Sequence, residues 1–224
     1  MKRMMLIVMV VLTIILTIDA QASDEYSLQM TTENVDLSTA VSEGWIFDKY
    51  YNDNADIYQG TYLRANQTDG RAFLTKTISV PVGTTALVME YTGALQNSYW
   101  GQNTGVFVVL NNGEEYSFQT GMNGCCDNKD THQLMIRHGN DFLSHILNTL
   151  TYGVYHYTVI FAFNEITAQA ENSQGKIVYN STVSAPGLNP TDIASIKYWV
   201  YTTSDNNSWM KDLSYSFIHH EKTN

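Results

Sequence analysis

The chain has 224 residues, of which 12 are Lys or Arg and 22 Asp or Glu, giving a formal net charge of −10 at pH 7. That balance, with no cluster of basic residues, repels backbone phosphates and excludes nucleic acid as a partner. Two cysteines cannot staple a chain of this size, so a large apolar core has to hold it together.

The opening 22 residues, MKRMMLIVMVVLTIILTIDAQA, place Lys2 and Arg3 before an apolar run from Met4 to Ile18 and end on Ala20-Gln21-Ala22. A basic start, an apolar middle and a small-x-small end are the marks of a cleaved signal peptide, so residues 1–22 predict secretion, extracellular or periplasmic. The run is about 15 residues long where a membrane helix needs roughly 20, and Asp19 ends it, so no membrane span is expected after cleavage. Losing Lys2, Arg3 and Asp19 leaves 10 basic against 21 acidic residues. Residues 23–41 read as a polar leader, and residues 42–220 as a single β-sandwich domain.

Beyond the leader, IYQGTYLRA, RAFLTKTISV, TALVMEYTGA, GVFVVLN, EYSFQT and HQLMIR alternate apolar with polar residues and favour β-branched and aromatic side chains. Turn residues such as Asn112-Gly113 separate them. DFLSHILNTL has the spacing of one short helix. YHYTVIFAF, ITAQA and GKIVYNS then form a meander with a turn at Asn172-Ser173-Gln174-Gly175, and Pro190-Thr191-Asp192-Ile193 predicts a single helical turn. IKYWVY and SWMKDLSYSFI close the chain. About ten to twelve strands with almost no helix predict an all-β fold, an antiparallel two-sheet β-sandwich.

Over residues 150–218 the order of features becomes more specific. A long amphipathic strand leads into a hairpin at Gly175, a crossover holds Asp192 and Ile193, and a late strand carries Trp209, Asp212, Leu213, Tyr215 and Phe217. This order resembles the concanavalin A-like lectin and glucanase superfamily, laminin-G-like modules included. The resemblance implies a jelly-roll sandwich that binds or cleaves a glycan or polysaccharide.

Cleavage by hydrolysis uses two carboxyl groups about 5 to 9.5 Å apart, which E-x-E or E-x-D on one strand would supply. The chain has neither: Glu114 and Glu115 are adjacent and point to opposite faces, and Glu90 and Glu165 stand alone. A hydrolase or lyase therefore ranks behind a non-catalytic, lectin-like binder, with an extracellular protein-interaction module as the other alternative. A sugar ring has an apolar face and a hydroxyl rim, which asks for an exposed aromatic flanked by polar side chains. In SIKYWVYTTSDNNSW, alternation puts Ile196, Tyr198 and Val200 on one face and Lys197, Trp199 and Tyr201 on the other. If the first set is core, the second is a stacking surface; the opposite assignment turns Trp199 and Tyr201 toward the other sheet. A second platform, LQNSYWGQNTG, sets Tyr99 and Trp100 in a polar loop with Asn103.

Cys125 and Cys126 lie side by side in GMNGCCDNKD. In an oxidising compartment they form a strained vicinal disulfide, a rigid apolar plate that could wall a sugar site, or they bridge to another chain or stay as thiols. Binding needs no cofactor. Calcium is a candidate because YNDNADIYQG groups the hard oxygen donors Asp53, Asn54 and Asp56, which also suit an ordinary turn.

Overall fold

Period-two alternation becomes strand almost throughout the computed structural model, which describes residues 26–50, 54–66, 70–95, 102–122, 132–147, 150–151, 153–202 and 207–222. In chain order the strands are β1 (Tyr26–Asn34), β2 (Ile46–Tyr50), β3 (Ala55–Tyr58), β4 (Tyr62–Ala65), β5 (Gly70–Thr77), β6 (Thr84–Leu95), β7 (Gln102–Leu110) and β8 (Glu115–Met122). They continue with β9 (His132–His138), β10 (Asp141–Leu147), β11 (Gly153–Ala162), β12 (Glu165–Asn172), β13 (Ile177–Ser184), β14 (Ile193–Thr202) and β15 (Ser208–Lys222). One sheet has the order β13-β12-β11-β6-β15-β4-β3, with β1 also paired to β15; the other runs β10-β9-β8-β7-β14-β5-β2. Every described pairing is antiparallel. The two sheets are those of a concanavalin A-like sandwich.

The inner faces interdigitate through the residues that alternation selects. Leu87, Met89 and Tyr91 of β6, Tyr157, Val159 and Phe161 of β11, and Leu213, Tyr215 and Phe217 of β15 meet Val106 and Val108 of β7, Phe118 of β8 and Ile196, Tyr198 and Val200 of β14. Asp212 adopts φ 52° where the β15–β6 register shifts, and that bulge returns Leu213 to the core after Met210. The predicted helical turn is a 3-10 turn at Pro190–Asp192, capped by the Asn189 side chain accepting from the Thr191 amide.

Three expectations need correction. Within DFLSHILNTL, Asp141–Leu147 is strand β10, not a helix. Its register shifts between Phe142 and Ser144, and the extra residue turns both Leu143 and Ile146 onto the core. A bulge has thus produced the three-residue spacing of a helix. The polar leader contains β1, which pairs with β15 along its whole length from Tyr26↔Lys222 to Asn34↔Ser214. The single strand expected at IYQGTYLRA is the hairpin β3–β4, turned by Gln59 and Gly60 at φ 54° and 64°; with β1, β2 and β10 this brings the described strands to fifteen.

Trp45, in the β1–β2 connection, bridges the sheets. Its ring lies 5.8 Å from Tyr198 of β14 and 6.2 Å from Tyr215 of β15. Lys76 Nζ sits 5.5 Å from the Trp45 centroid and 3.1 Å from Glu33 Oε2, which also accepts the Tyr215 hydroxyl. That hydroxyl holds Glu33 below its ordinary value of 4.5; burial opposes the shift and Lys76 adds to it.

Two outcomes follow. Trp45→Ala removes a buried ring shared by both sheets and should lower the unfolding free energy by about 3–5 kcal/mol in denaturant titration; a loss below about 1 kcal/mol would contradict the bridging role. Because the folded value of Glu33 is depressed, its contribution is complete above the unfolded glutamate value and disappears as pH falls through the folded one. Stability measured from pH 6 to 3 should therefore fall less steeply in Glu33→Gln than in the wild type, and parallel curves would refute the assignment.

Candidate functional site

β14 is hydrogen-bonded to β5 on one side and β7 on the other. Its inward residues Ile196, Tyr198 and Val200 are fully buried in the core, so Lys197, Trp199 and Tyr201 stand on the outer face of the seven-stranded sheet. The expected alternation holds. The same parity puts Arg71 and Phe73 of β5, next to inward Ala72, and Asn103, Gly105 and Phe107 of β7, next to inward Val106, on that outer face.

The register then assembles a patch from three strands. Tyr201 pairs with Arg71 on one side and Asn103 on the other, and Trp199 pairs with Phe73 and Gly105. The Trp199 ring is stacked at 6.0 Å on Tyr201 and at 6.4 Å on Phe73, and meets Phe107 edge-on at 5.7 Å. These neighbours leave Trp199 only 9% exposed although it faces away from the core, so the partly exposed Tyr201 is the ring on the surface and Trp199 the ring that supports it. The Arg71 guanidinium lies over Tyr201, 4.7 Å from its centroid.

Polar groups in this patch are unpaired. Trp199 Nε1, Arg71 Nε and Asn103 Oδ1 are shielded from solvent, and none has a hydrogen-bond partner. They are two donors and one acceptor ranged about one aromatic ring. A buried polar atom without a partner costs about 1–3 kcal/mol, and three of the ten such atoms among the described residues lie in these adjacent positions. Lys197 shares the face, but its ammonium is 2.7 Å from Glu115 Oε2 and is already neutralised.

Of the residues predicted from sequence, Lys197, Trp199, Tyr201 and Asn103 come together here. Asn103 belongs to the second predicted platform, and the register of β7 joins it to the first. Tyr99 and Trp100, and Cys125 and Cys126, lie outside the described residues. Sequence reasoning missed Arg71, Phe73 and Phe107, whose membership follows from pairing between strands distant in the chain; their alternation along β5 and β7 is the one signal they carry.

Two of the three calcium donors have partners within the protein. Asp56 holds Arg64 through both carboxylate oxygens, at 2.9 and 2.7 Å. The Asn54 carbonyl accepts from the Asn66 amide, and Asp53 lies outside the described residues. Among the described residues no three His, Cys, Asp or Glu side chains are grouped to hold a metal. Also among the described residues, no helix is long and apolar enough to cross a membrane.

No protein-family model and no curated protein sequence matches this chain. Solved structures do. Lectin II from Ulex europaeus superposes with a TM-score of 0.61 at 8% identity, covering 84% of this chain and 98% of its own. The CBM2 module of the evolved Dit of Lactobacillus casei BL23 phage J-1 gives 0.59 at 12% identity, covering 91% and 94%. The legume lectin-like domain from Entamoeba histolytica gives 0.56 at 8% identity, covering 88% and 97%. At these identities the likeness is one of fold, and it agrees with the concanavalin A-like resemblance of residues 150–218.

The patch also constrains β7. A Cβ on Gly105 would lie 2.6 Å from the Phe118 carbonyl oxygen of β8, so a side chain there has to push the strands apart. Gly105→Ala should cost about 1–3 kcal/mol of unfolding free energy, and a change within about 0.5 kcal/mol would show that the strands have room.

Proposed function

We propose that the protein is an exported glycan-binding protein of the lectin kind, which holds sugar without cleaving it on the outer face of the seven-stranded sheet. One observation carries this: Trp199 Nε1, Arg71 Nε and Asn103 Oδ1 are unpaired and surround the Tyr201 ring. A sugar presents an apolar face to stack on a ring and a rim of hydroxyls that both donate and accept. The patch has the complement of each.

The fold supports the reading, since the similar structures include a lectin complexed with galactose and one from Bauhinia forficata in complex with GalNAc. The carboxylates favour binding over hydrolysis. Among the described residues, Asp48 of β2 and Glu115 of β8 on this face are four strand spacings apart, about 19 Å, well beyond the separation of a hydrolytic pair. Aromatic stacking with a few hydrogen bonds gives weak affinity per site, and an open sheet face suits a polymer that offers many copies of its residue.

The purified protein should bind a subset of a broad polysaccharide array and release no new reducing ends. Tyr201→Ala should weaken that binding at least tenfold, while Trp209→Ala, on the other sheet, should leave it unchanged. Release of reducing ends would replace the reading with an enzyme. Silence across the array would favour a protein-interaction module.

A further inference from the structure

The charges around Tyr201 say which sugars the site prefers. On the same face Lys197 has a carboxylate oxygen at 2.7 Å, and Arg137 of β9, three strands from β14, donates to the Asn140 carbonyl. Arg71 forms no ion pair with a described residue; it lies on the Tyr201 ring with Nε unpaired and shielded. A ligand that stacks on Tyr201 has to displace this guanidinium from the ring. That gives up a cation–π contact of about 0.5–2 kcal/mol.

A neutral sugar returns only ordinary hydrogen bonds to the displaced group. A carboxylate returns a charge-assisted pair, roughly twice as strong as a neutral hydrogen bond, and the Nε–Nη edge of Arg matches its two oxygens. Trp199 Nε1 is a neutral donor on the neighbouring ring, and Asn103 Oδ1 belongs to the strand on the other side of Tyr201. We propose that the ligand is an acidic glycan, in which a uronate-type residue stacks on Tyr201 and places its carboxylate on Arg71. This rests on the glycan-binding reading and narrows it to one class.

The net charge of −10 bears on the same point. It disfavours a polyanion at long range, where salt screens it, so the preference has to arise at close contact. An acidic polymer should therefore bind more tightly as ionic strength rises modestly, up to the point where salt competes at Arg71 itself.

The test changes the ligand before the protein. Isothermal titration of the full protein compares oligogalacturonate, oligoguluronate, oligomannuronate and glucuronoxylan with their methyl esters, and includes neutral galactan and mannan. The expected result is that at least one acid binds tenfold or more tightly than its ester. Arg71→Gln should remove that preference while keeping the wild-type melting temperature, and Arg71→Lys should keep part of it. Equal affinity for acid and ester, or binding of the neutral polymers alone, overturns the acidic preference and leaves glycan binding standing. Binding to none of the acidic, esterified or neutral polymers overturns both.

Discussion

Both the core and the candidate site depend on the register of one strand. β14 is fixed between β5 and β7 so that Ile196, Tyr198 and Val200 enter the core while Trp199 and Tyr201 emerge beside Phe73, Arg71 and Asn103. A slip by one residue would exchange the two sets, exposing three core residues and burying Lys197 with its charge. The inward side chains therefore hold the outward ones in place, and the site needs no separate scaffold. The Tyr198 hydroxyl strengthens this lock by donating across the core to the Ser214 carbonyl of β15.

The site leaves polar atoms without partners. The paired charge on the same face, Lys197 with Glu115, is satisfied within the protein. The three unpaired atoms about Tyr201 are not, and their cost is carried by the large shared core. A region built only for stability would pair them or replace them with apolar groups. Keeping them unpaired on a floor of stacked rings gives a surface that gains from a partner bringing hydroxyls or an anion.

Much of the fold was legible because most strands have one buried face, and burial writes alternation into the sequence. The exceptions have local causes. β1 pairs only with β15, no residue between Leu28 and Asn34 is fully buried, and its apolar stripe is only Leu28 and Met30, packed on the small cluster of Val88, Ile160 and Ile218. In β10 a bulge converted a strand pattern into helical spacing. The site was half legible: the alternation of Trp199 and Tyr201 can be read along one segment. Arg71 sits 130 residues from Tyr201 in sequence, and nothing local to RAFLTKTISV reveals which strand it will lie beside. Asp56 faces Arg64 across a hairpin, a partner that turn composition does not show.

The most direct measurement is a map of amide chemical shifts as an oligosaccharide that binds the protein is titrated in. The account predicts that the largest changes fall on Arg71 and Phe73 of β5, Asn103 and Gly105 of β7 and Trp199 and Tyr201 of β14, with the outer face of the eight-stranded sheet silent. Changes centred on Trp209, Tyr62 and Arg64 instead would place the sugar on the opposite sheet and contradict it.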